Sequence, residues 1–112
     1  MAQYTQHFTG SFDGLLNYID HSVLQGSISA SREGGSVTEM NGIRCAFRVY
    51  ERYSFMGSNR LSLSVTLFGR DGDLILTAVA SGGSQAMFFK INTWGEEAFL
   101  EKFVSQIERY AP

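Results

Sequence analysis

Hydrophobic positions change their period several times along the 112 residues, and each change predicts an element. Residues 4–9 alternate, with Tyr4 and Phe8 on one face, as a short strand does. Phe12, Leu15, Leu16, Ile19 and Val23 then recur at helical spacing. Ser11 stands where an N-cap belongs and Gly26 where a left-handed stop belongs, so a helix is expected over 12–25. Ile28, Ala30 and Arg32 alternate with small polar residues, which predicts a strand over 27–33. Glu33 to Ser36 reads as a turn, and 37–40 as an optional short return strand. Asn41-Gly42 is a strong tight-turn signal.

The cleanest period of two runs through 43–55. Ile43, Cys45, Phe47 and Val49 are expected to face the core, and Arg44, Ala46, Arg48, Tyr50 and Arg52 the solvent. Leu61, Leu63, Val65 and Leu67 give the next strand, over 60–68. Residues 74–80 and 85–91 are apolar on both faces and read as two more. Thr93 and Glu96 fit a capping box that opens a second helix, whose buried stripe is Phe99, Leu100, Phe103, Val104 and Ile107. The pattern predicts a single α+β domain over 1–112: an antiparallel sheet of about five strands with two helices on one face. The expected order is β-α-β-β-β-β-β-α, one short strand being optional. This order is similar to that of TATA-binding-protein-like and helix-grip folds, a likeness that carries no function.

Composition adds limits. Hydrophobic residues make up 44% and charged residues 18%, an ordinary globular balance. Net charge is −2, which gives no global attraction to nucleic acid or an anionic membrane. One cysteine, Cys45, cannot form an internal disulfide. The start of the chain lacks the basic and apolar regions of a signal peptide, and no apolar run reaches membrane-spanning length. A cytoplasmic location is expected.

Catalytic chemistry is thinly represented. His7 and His21 have no Cys or carboxylate at metal-ligand spacing, and both read as solvated. Cys45 reads as a buried, inert thiol. No pair of carboxylates is placed for acid–base work, so no catalytic residue, metal or cofactor is assigned. Two features stand above this background. The first is charge: residues 43–70 hold Arg44, Arg48, Arg52, Arg60 and Arg70 against the single acid Glu51. Arg44, Arg48 and Arg52 share a strand face with Tyr50, an arrangement that can bind anions. The alternative is a solvated face whose arginines pair with local carboxylates. The second feature is the loop with Ser81 and Ser84 together with the aromatics Phe88, Phe89, Trp94 and Phe103, which could line a pocket for an apolar small molecule between the second helix and the sheet.

The stretches RVYERYS at 48–54 and SGGSQAMFFKINTWGEEAFL at 81–100 resemble a family of uncharacterised bacterial proteins of about this length, a domain of unknown function. The resemblance covers nearly the whole chain. It implies a bacterial, cytoplasmic origin and brings no activity or site residue with it. The leading reading is a non-enzymatic binding or interaction domain that self-associates. The alternatives are a carrier of an apolar small molecule and an anion- or nucleic-acid-binding arginine face, with nucleic acid the less favoured ligand. The argument for self-association is the second apolar face of 74–80, where Ile75 and Val79 lie opposite Leu74, Leu76, Ala78 and Ala80. Helices on one side cannot cover both sets.

Overall fold

The structure, a computed structural model, describes residues 2–26, 29–53, 60–82 and 89–110, with the side chains of 89–97 outside that description. The elements run β1 (Ala2–Phe8), α1 (Phe12–Gly26), β2 (Ser31–Met40), β3 (Ile43–Tyr53), β4 (Arg60–Arg70), β5 (Asp73–Gly82) and α2 (Phe89–Ile107). The five strands form one sheet in the order β1-β5-β4-β3-β2, antiparallel throughout. The expected α+β class is therefore found. The first strand pairs with the last, and α1 carries the chain from that edge to the other.

Local chemistry sets the start of α1. The Gly14 N–H donates to Ser11 Oγ at 3.1 Å, so Ser11 is the N-cap. The Phe12 N–H donates to Asp71 Oδ1 at 2.9 Å, and the Gly72 N–H to the Gly10 carbonyl at 2.8 Å. The β4–β5 turn is thus pinned to the helix entry. Asn41 and Gly42 sit at φ 55° and 80°, the double left-handed turn that a two-residue hairpin requires.

Both helices pack on one face. Phe12, Leu15, Leu16, Ile19 and Val23 of α1 are buried with Phe99, Leu100, Phe103 and Ile107 of α2. They meet Leu61, Leu63, Val65 and Leu67 of β4 and Leu74, Leu76, Ala78 and Ala80 of β5.

Four local expectations are corrected. Residues 31–40 are one strand, with a bulge between Arg32 and Gly34, where a turn and a return strand were expected. Gly35 serves packing here: a Cβ on it would lie 2.8 Å from the Phe47 carbonyl and 3.1 Å from the Arg48 side chain. Second, α2 begins at Phe89, so 89–91 are helical and Thr93 lies inside the helix. The helix continues upstream of the capping-box signal, while residues 85–88 of that expected strand lie outside the described residues. Third, the faces of β3 are reversed: Ala46, Arg48 and Tyr50 are buried and Phe47 is 43% exposed. Fourth, Cys45 is half-buried on the uncovered face rather than enclosed in the core.

Candidate functional site

Register explains the reversal. Arg48 lies beside Val65 and Ala78, and Tyr50 beside Leu63 and Ala80, so the arginine side of β3 shares the face that β4 and β5 turn to the helices. The helices supply what the arginines need. Arg44 pairs with Asp13 at 2.9 Å and lies over the Phe12 ring, 4.2 Å from its centroid. Arg48 Nε donates to Asp20 Oδ1 at 3.2 Å, Arg32 reaches Asp20 Oδ2 at 3.3 Å, and the Tyr50 hydroxyl donates to the same carboxylate. Arg52 lies over the Phe99 ring at 4.3 Å. The row does share one face, as expected, but under the helices and not in open solvent.

These contacts shift the ionisable groups. The hydrogen bond from Arg44 holds the Asp13 carboxyl below its ordinary value. Burial, and then the hydrogen bond to Asp20, push the Tyr50 phenol well above its ordinary value. Burial lowers Arg52, and its Nε is enclosed with no hydrogen-bond partner among the described residues. Three of the four proposed anion-binding residues, Arg44, Arg48 and Tyr50, are thus engaged by carboxylates of α1.

The other side of the sheet carries no helix among the described elements. Three rows cross it in register: Thr38, Cys45, Phe68, Ile75, His7; then Ser36, Phe47, Thr66, Thr77, Thr5; then Gly34, Val49, Ser64, Val79, Gln3. Phe47 and Phe68 are exposed at 43% and 39%. Acidic and basic groups collect at the two ends of the strands. His7 Nε2 lies 3.0 Å from Asp73 Oδ1 at one end, a pairing across the sheet that sequence spacing did not reveal. Arg60 pairs with Glu51 at the other.

The pocket residues are dispersed. Ser81 faces the open side and shares a hydrogen bond with Ser62 at 3.0 Å. Ser84 and Phe88 lie outside the described residues, as do the side chains of Phe89 and Trp94 in α2. Phe103 is buried in the core. The cleft beside it, between α1 and α2, has a void of about 10 Å³, close to the least that one water needs. No group of three potential metal ligands occurs among the described residues. No helix among them is long and apolar enough to cross a membrane.

Fold and faces together define a small one-sheet α+β domain with both helices on one side and a bare sheet on the other. The chain belongs to the family of unknown function DUF6054, whose profile matches residues 1–111. A search of curated proteins found no match.

Proposed function

We propose that this chain is an interaction domain that pairs with a second copy of itself through the uncovered sheet face. The observation that carries this reading is the middle of that face. Its three central rows hold Phe47, Phe68, Val49, Ile75 and Val79 among Thr and Ser, and they contain no Asp, Glu, Lys or Arg, with His7 only at the β1 edge. Two such faces can approach about a twofold axis without opposing like charges, as isologous interfaces require. Sheets commonly bury a bare face by packing on another sheet about 10 Å away. Size also fits. Five strands at about 4.8 Å spacing and ten residues at about 3.3 Å rise give a face of about 800 Å², the area per partner of a standard interface. A lone cysteine suits a reducing compartment, which supports a cytoplasmic setting for the pair.

Sedimentation of the purified chain over a concentration series tests the reading. The wild type is expected at twice the 12.4 kDa of one chain. Val79→Glu is expected to sediment as a monomer with unchanged circular dichroism, because Val79 lies on the open face. A wild type that stays monomeric at the highest concentration overturns the proposal.

A further inference from the structure

We propose that the cleft between the end of α1 and the second half of α2 is an oxyanion site, centred on Arg52 and taking a single carboxylate or phosphate group. It lies on the helical side of the sheet, so it does not depend on the pairing proposed above.

Arg52 differs from its neighbours in the row. Arg44 has Asp13, and Arg48 and Arg32 share Asp20, but no carboxylate among the described residues pairs with Arg52. Its Nε is enclosed and unpartnered, a state that an incoming acceptor would relieve. Its guanidinium carbon lies 4.3 Å from the centroid of the Phe99 ring, a cation–π contact that anchors the fork over that ring. Lys102 lines the same cleft one helical turn beyond Phe99, and Ser22 and Gln106 add polar groups. The remaining described walls are Val23, Gly26, Phe99 and Phe103, and no acidic side chain is among the described lining residues.

Two cations therefore share one small cleft. The carbonyl end of α1 is also there, at Gly26, and carries about half a negative charge. That offsets only part of two full charges, so the described lining is positive on balance. The void of about 10 Å³ limits the ligand. It has room for a single oxygen of a carboxylate or phosphate, while the rest of the group and of any larger molecule stays outside. A planar fork with a nearby ammonium suits carboxylate and phosphate alike. The two sources are a free small anion and the acidic group of a larger ligand.

NMR of the arginine Nε–H signals tests the site on the intact chain, with inorganic phosphate and acetate as probes and chloride as the ionic-strength control. The Arg52 signal is expected to shift saturably with at least one probe and not with chloride. Saturation by phosphate alone assigns the site to phosphate groups, and saturation by acetate assigns it to carboxylates. Lys102→Met, at an exposed position, is expected to weaken the binding about tenfold, the loss of one charge-assisted hydrogen bond. This variant keeps the test decisive even if Arg52→Gln fails to fold. A shift that merely follows ionic strength, or none with either probe, overturns the proposal.

Discussion

The two faces of this sheet reverse the usual expectation. In β3 the side under the helices carries Arg44, Arg48, Tyr50 and Arg52, while the open side carries Ile43, Cys45, Phe47 and Val49. Judged alone, this strand belongs the other way round. Its orientation is settled by its neighbours, whose Leu61, Leu63, Leu74 and Leu76 leave no choice of side. Given that frame, the register of β3 against β4 decides which of its own side chains go under the helices, since a one-residue slip flips a whole strand. The arginines are then accommodated by guanidinium groups lying over aromatic rings and by carboxylates brought over on α1. Arginine is a poor marker of exposure where a facing helix offers Asp at two positions on one face, two turns apart, as Asp13 and Asp20 do.

If that account holds, removing the carboxylate should hurt the covered face most. Asp20→Ala leaves Arg48, whose side chain is 11% exposed, without its ionic partner. The expected loss is about 3 kcal/mol, the lower end for breaking a buried pair because Asp20 keeps some contact with water. Urea unfolding measures it. Asp13→Ala, with a mostly exposed carboxylate, should cost much less. Equal costs would show that the Arg48 pair is no more enclosed than a surface pair.

Tyr50→Phe sharpens the same contrast with a smaller effect. The hydroxyl donates to an ionised partner, and its loss should cost about 2 kcal/mol near neutral pH. The pH dependence carries a second signature. Folding raises the phenol above its ordinary value of 10.0. Above that pH the unfolded chain has released a proton that the folded chain still holds, so stability falls as pH rises. The stability is whole below the unfolded value and is lost through the alkaline range. Tyr50→Phe should flatten this alkaline decline, with a residue left by Tyr4, which burial also raises. An unchanged alkaline slope would mean that Tyr50 ionises as freely folded as unfolded.

Much of the architecture was legible because it rests on periods that burial enforces. The α1 stripe, its Ser11 cap, the Asn41-Gly42 turn and the alternation of β4 all follow from local residues. Three features were not legible, each for a non-local reason. The facing of β3 depends on register with β4. The glycines at 34–35 look like a turn, yet Gly35 makes room for the Arg48 side chain across the ladder. The start of α2 precedes its apparent cap, because a capping signal inside a helix does not end it. Of the candidate residues, the arginine row was found as a row, and its carboxylate partners were missed because they lie on α1, 28 residues away for Asp20 and Arg48.

The gentlest test of the open face uses Cys45. It is half-buried beside Phe68, on the side that no described helix covers. A thiol reagent should therefore reach it in the folded chain, without the global unfolding that a core cysteine would require. Pairing through this face would cover it again. Labelling should then be fast in dilute solution and slow down as concentration rises, whereas in Val79→Glu it should be fast at every concentration. The change in rate follows the fraction paired, so the effect is graded and leaves the fold intact. Labelling that tracks global unfolding at all concentrations would place Cys45 in a closed environment and break the contrast between the two faces. Fast labelling with no concentration dependence would keep the contrast but remove Cys45 from the paired surface, moving the contact toward β5 and Val79.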